Sequence, residues 1–124
     1  MTHDALHWFE IPVHDMERAQ RFYETLLGRR MRREQMGPQA LAVFEYGDGR
    51  VGGALLNGPD MPAPSLDGNI VYLNASPSLD AALARAVALG ARVLLPRLQL
   101  PGDIGAIAHI ADSEGNRIGL HAAH

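Results

Sequence analysis

Residues 6–57 and 69–123 follow one plan, and a chain that repeats a supersecondary unit is restricted to folds in which each copy completes the core of the other. The first copy runs from an apolar strand, HWFEIPV, through a helical stretch, DMERAQRFYETLLG, to three strand-like segments, the last of which follows the turn GDG. The second keeps that order, from NIVYLNA through SPSLDAALARAVALG to the turn SEGN and a closing strand, RIGLH. The glycines expected to end the two helices, Gly28 and Gly90, stand 62 residues apart, so a position assigned in one copy can be checked in the other. Between the copies NGPDMPAPSLDG holds three prolines and two glycines in twelve residues, too broken for a helix or a central strand. Residues 58–68 therefore read as the linker between the modules.

Local signals give each module the same content. Asp15 is placed to accept backbone N–H bonds at the start of a helix whose apolar residues Met16, Ala19, Phe22, Tyr23, Leu26 and Leu27 recur at three- and four-residue spacing, with Gly28 as the left-handed stop. In the second helix Ser76 is the expected cap with Pro77 at the first helical position; Leu79, Leu83, Ala86 and Val87 form the stripe, and Gly90 ends it. The segments RRMRREQ, QALAVFEY, RVGGALLN, ARVLLP, GAIAHIAD and NRIGLHA have strand length and turn signals between them. The expected fold is α+β, with two βαβββ modules forming an eight-stranded cupped sheet in a single domain.

Composition excludes several function classes. With 47% hydrophobic and 20% charged residues the chain of 124 residues reads as one ordinary globular domain. No apolar run approaches the ~18 residues of a membrane span, and the start, MTHDALHW, has no basic region followed by an apolar one, so a cytoplasmic protein with no membrane partner is expected. The absence of cysteine removes disulfides, thiolate catalysis and thiolate metal sites. A net charge of −3 argues against nucleic acid as a partner. The one charge cluster, Arg29, Arg30, Arg32 and Arg33, reads as a solvated strand with Met31 turned inward, anion recognition being the alternative.

Strand alternation selects the side chains of a ligand site. Phe9, Ile11 and Val13 form the face under the helix and leave Trp8, Glu10 and Pro12 opposite. Val71, Leu73 and Ala75 likewise leave Ile70, Tyr72 and Asn74; Ala106, Ala108 and Ile110 leave Ile107 and His109; Ile118 and Leu120 leave Arg117, Gly119 and His121. A sheet with helices on one face and aromatic, imidazole, amide and carboxylate groups on the other is expected to cup a ligand, with Trp8, Glu10, Tyr72, Asn74, His109 and His121 as the binding residues.

These residues carry a resemblance. EIPVHDMERAQRFYETLLG together with DSEGNRIGL resembles the vicinal oxygen chelate superfamily, which groups glyoxalase I, extradiol dioxygenases, fosfomycin-resistance proteins and bleomycin-binding proteins. The resemblance covers essentially the whole chain and implies paired βαβββ modules, a homodimer and, in the enzymatic branches, metal chemistry. Metal-dependent relatives place a His or Gln on the first strand, a Glu on the fourth, a His or Glu on the fifth and a Glu on the last. Counting from Asp15, from the helix offset and from the turns puts those positions at Trp8, Gly53, Ile70 and Gly119, none of which is a ligand. No metal and no cofactor are expected, the alternative being an improvised site of Glu10, His109 and His121. His3, His7, His14 and His124 sit in terminal or turn contexts without ligand spacing.

No G-x-x-x-x-G-K-[ST] or G-x-G-x-x-G occurs, and Ser76, Ser78 and Ser113 read as caps and turns rather than nucleophiles. Two functions follow. One is a metal-free binding module for a small organic ligand. The other is a glyoxalase-like lyase or isomerase in which Glu10 and His121 transfer protons.

Overall fold

The computed structural model describes residues 4–124, so His3 lies outside it. Its elements are β1 (Trp8–Pro12), α1 (Met16–Leu27), β2 (Met31–Met36), β3 (Gln39–Phe44), β4 (Gly52–Asn57), β5 (Tyr72–Asn74), α2 (Leu79–Ala88), β6 (Arg92–Gln99), β7 (Ala106–Ala111) and β8 (Arg117–Ala122). They form two four-stranded sheets of identical topology, β1-β4-β3-β2 and β5-β8-β7-β6, in which the first strand of each module runs parallel to the last. The α+β architecture of two βαβββ modules is as the repeat predicts.

The helices form where side-chain oxygens cap them. Asp15 accepts from the Arg18 N–H, and Gly28, at φ 66°, closes α1 by donating to the Glu24 carbonyl. In α2 the cap is Ser78, which accepts from the Ala81 N–H, rather than Ser76. The Asn74 side chain accepts the Ser76 N–H, and Ser76 and Pro77 form a turn ahead of the helix. The buried side of α2 is Leu79, Ala82 and Ala86, and Val87, expected in the stripe, is 58% exposed. The small Ala82 and Ala86 let α2 lie close to its neighbours. Arg85 reaches across to the Leu26 carbonyl at the end of α1, satisfying one of the acceptors a helix terminus leaves open.

One core runs through both modules: Ile11, Phe22, Tyr23, Leu26 and Leu55 of the first pack in a continuous cluster with Leu73, Leu79, Ile110, Ile118 and Leu120 of the second. A smaller cluster on the opposite face of the first sheet, Leu41, Val43, Ala54 and Leu56, is packed by Met61 of the linker. Met31 is buried while Arg29, Arg30, Arg32 and Arg33 are exposed, as the charge pattern predicts.

The β7–β8 turn clasps the modules together. Its Glu114 carboxylate is buried and accepts from the backbone N–H groups of His14 and Asp15 at the start of α1, from Arg18 at 2.7 Å and 3.0 Å, and from Ser113. Asp112 accepts from the Tyr23 hydroxyl and the Glu114 and Asn116 N–H groups, while Asn116 donates to the Pro12 carbonyl and accepts from Ser65. Burial pushes the Glu114 carboxyl upward, but the hydrogen bonds from Arg18, Asp15, Ser113 and His14 outweigh it and hold the group at about 2.

A folded value of about 2 against 4.5 for an ordinary glutamate means that the unfolded chain takes up the proton first as pH falls. The stabilisation, on the order of 3 kcal/mol, is present above about pH 4.5 and is lost as pH drops toward 2. Glu114→Gln is expected to lower unfolding free energy at pH 7 by about 2–3 kcal/mol. In urea titrations at stepped pH the gap between the two proteins should close through that acid window; a constant gap would assign the loss to packing instead of charge.

Candidate functional site

Alternation places the candidate residues as the strands dictate. Ile11 and Val13 are buried and Phe9 packs against the core, whereas Trp8 and Glu10 are exposed on the other face. Leu73 and Ala75 are buried, and Tyr72 and Asn74 are exposed. In the second sheet the register sets Tyr72 beside Gly119, Gly119 beside His109, and Ile107 beside His121, so these side chains share one face with Arg117.

Register also corrects two positions derived from counting. Trp8 pairs with Gly52, and Gly53 pairs with Phe9, so Gly53 belongs to the helix side, where a Cβ would collide with the Phe9 ring. Tyr72 pairs with Gly119 as Trp8 does with Gly52, which makes Tyr72 the counterpart of Trp8; Ile70 precedes the strand. The offsets failed because α2 has 10 residues where α1 has 12, and because Gly52 follows its turn glycine one residue sooner than Gly119 does. The equivalent positions are therefore Trp8, Gly52, Tyr72 and Gly119. Both glycines are needed where they stand, since a Cβ on Gly52 would strike the Tyr46 ring and one on Gly119 the Tyr72 ring.

On the first sheet the Trp8 indole N–H donates to Glu10 at 3.4 Å, and Tyr46 meets the indole edge-on with ring centroids 5.9 Å apart. On the second, the Tyr72 oxygen lies 2.6 Å from His109 Nε2, and His109 Nδ1 lies 3.3 Å from Arg117 Nη1. Guanidinium only donates, so Nδ1 must accept and the imidazole proton sits on Nε2. That proton is donated to the Tyr72 oxygen, which leaves the phenol O–H directed elsewhere. Burial lowers the His109 pKa below its usual value, and the Arg117 charge lowers it further, so the ring stays neutral. His121 donates through Nε2 to the Ile104 carbonyl at 2.6 Å, and the Asn74 oxygen is held by the Ser76 N–H.

The six candidates thus divide between the sheets, Trp8 with Glu10 and Tyr72 with Asn74, His109 and His121. Glu10, His109 and His121 each hold a different partner. Among the described residues no three His, Asp or Glu side chains are placed to share a metal ion. Tyr46 and the role of Arg117 escaped sequence reasoning. Tyr46 ends the strand-length segment QALAVFEY, but β3 stops at Phe44, so alternation does not set its side, and Arg117 lies on the expected face with a partner, His109, that alternation does not name.

Residues 6–47 match the family model described as bleomycin resistance protein-like N-terminal. No curated protein sequence matches the chain. Among solved structures it is similar to a glyoxalase/bleomycin resistance protein from Streptomyces sp. CB03234 (26% identity, TM-score 0.68, covering 94% of this chain and 99% of that one). It is similar also to TnmS3, an antibiotic binding protein from the same organism (26% identity, TM-score 0.70, 98% of each chain). A glyoxalase I mutant from Zea mays shares the fold at 22% identity and TM-score 0.66, with 94% of this chain matching 45% of that one. In its paired modules, its matched first module and these neighbours, the chain resembles the vicinal oxygen chelate superfamily of glyoxalase and bleomycin-resistance-like proteins and shares its fold.

Proposed function

We propose that the chain is a metal-free binding protein for a small organic ligand with a flat ring system and an acceptor oxygen. The observation that carries this reading is the Arg117–His109–Tyr72 chain of hydrogen bonds, which fixes a neutral imidazole and turns a phenol proton outward beside an exposed ring face. Such a group recognises an acceptor without exchanging protons. Trp8 and Tyr46 supply flat contact on the first sheet, and the likeness to an antibiotic binding protein supports a ligand of that kind. Proton transfer by Glu10 with His121 has weaker support, because the two lie on different sheets with separate partners and no substrate pose is implied by either. The protein works as a homodimer in this reading, because Val93, Leu98 and Ile104 near the outer strand of the second sheet are 37%, 48% and 58% exposed and suit cover by a second copy. No helix among the described residues is long and apolar enough to cross a membrane.

Imidazole titration followed by NMR should place the His109 midpoint below the ordinary 6.5, and Arg117→Gln should move it upward by removing the neighbouring charge. A midpoint above 6.5 would contradict a ring held neutral by burial and the Arg117 charge.

Trp8 is the only tryptophan, so its fluorescence reports the site directly. A panel of ring-containing antibiotics that includes bleomycin should contain a member that quenches it saturably. By calorimetry Trp8→Ala is expected to weaken that ligand about tenfold or more, and Tyr72→Phe by a smaller factor. Glu10→Gln should change its affinity only modestly; a ligand chemically converted by the wild type and not by Glu10→Gln would establish the enzyme instead.

Light scattering across a size-exclusion peak should give about twice the 13.4 kDa chain mass, and a value near one chain would remove the dimer.

A further inference from the structure

A cavity of about 280 Å³ lies at the seam where the end of α1 and the helix side of the first sheet approach β5, with Gly52, Tyr72 and Asn74 of the cup face on its border. Its apolar floor is formed by Phe9, Tyr23, Leu27, Met31 and Phe44. The Phe44 ring centroid lies 5.5 Å from that of Phe9 and 5.6 Å from that of Tyr23, so the floor is a set of ring edges and faces. Three consecutive residues, Tyr72, Leu73 and Asn74, also line it, which means that the edge of β5 borders the space. The Val71 carbonyl and the Ala75 N–H bond to β8. By alternation the main-chain groups of Tyr72 and Asn74 point away from β8, toward the seam.

At the mouth stand Arg29 and Arg30. They differ from the rest of the arginine run: Arg32 pairs with Glu34, and Arg33 donates to Gln20. Among the described residues neither the Arg29 nor the Arg30 guanidinium has a hydrogen-bond or ion-pair partner. Glu45 is the one carboxylate on the rim, so the two cations outnumber it.

We infer that this cavity is a second binding site, bordering the cup at Tyr72 and Asn74 but with its own floor and charge, for a small anion built from one aromatic ring and a carboxylate. The ring occupies the Phe9, Tyr23 and Phe44 floor. The carboxylate meets Arg29 and Arg30, whose planar donors match it in geometry as well as charge. The volume lies at the small end of ligand pockets, about 300–1,000 Å³, which limits the occupant to a single ring and a short acid chain.

Phenylacetate titrated into the isotopically labelled full chain is the test, with phenylacetamide as its neutral isostere. Phenylacetate should shift the amide signals of Leu27, Met31, Phe44 and Gly53 saturably at millimolar concentration and leave the Trp8 indole signal in place. Phenylacetamide and the Arg29→Gln/Arg30→Gln variant should each weaken the interaction about tenfold. Arg32→Gln/Arg33→Gln, which removes the same charge away from the cavity, should keep the affinity within about twofold of the wild type. Equal binding of acid and amide, equal loss in both arginine variants, shifts confined to the Trp8 and His109 surroundings, or no saturable shift would each overturn the site.

Discussion

A carboxylate sealed between two modules governs how this molecule is assembled. Glu114 has no solvent exposure on its side chain and would be strongly unfavourable there without its partners. Those partners are the His14 and Asp15 N–H groups just ahead of α1 and the Arg18 fork, so the entry to one module's helix is held by the other module's turn. Asp112 and Asn116 complete the junction through Tyr23 and Pro12, fixing the ends of α1 and β1 against β8. The seam between the sheets, and with it the placing of both candidate sites, follows from that junction. The two modules are unequal in this respect. The corresponding turn of the first, residues 47–50, is exposed and makes no such clasp.

Helices and strands were legible because their determinants are local. The α1 stripe and its caps Asp15 and Gly28 lie within one continuous stretch, and the same stretch forms the buried face. In α2 the local signal was ambiguous, since Ser76 and Ser78 are both good caps; Ser78 caps the helix, and Ser76 lies in the turn that Asn74 borders. Val87 illustrates a different limit. A stripe of alanines and leucines admits more than one buried face, and contact with α1 and the second sheet selects the one that uses Ala82. The clasp had no local signature beyond a turn. Its bonds span about a hundred residues, and nothing in DSEGN distinguishes a buried glutamate from a solvated one before the partner helix is in place.

The faces of the candidate site were legible for the same reason as the strands, because the period of two assigns sides without further information. Distances between the faces were not. Glu10 and His121 read as possible partners when only their sides are known, yet one is held by Trp8 and the other by the Ile104 carbonyl. Offsets between repeats proved less dependable than pairing: a helix two residues shorter displaced Ile70 from the position that Tyr72 occupies, and one residue in a turn separated Gly53 from Gly52.

With pairing in hand, the two modules show a common device. Each sets an aromatic residue of its first strand beside a glycine of its last, Trp8 beside Gly52 and Tyr72 beside Gly119, and each glycine leaves room for a ring to lie against the backbone. A larger side chain in place of either glycine would have to displace the ring that now covers it. The exchange alters what the face can recognise. Where ligands to a cation would present charged oxygens, this chain presents ring faces and a phenol whose proton is directed outward by a neutral imidazole. Burial and Arg117 both oppose protonation of that imidazole, and a neutral His109 is what keeps Nδ1 an acceptor for Arg117 and Nε2 a donor to Tyr72. Arg117 and His109 together therefore fix the direction in which the Tyr72 phenol offers its proton.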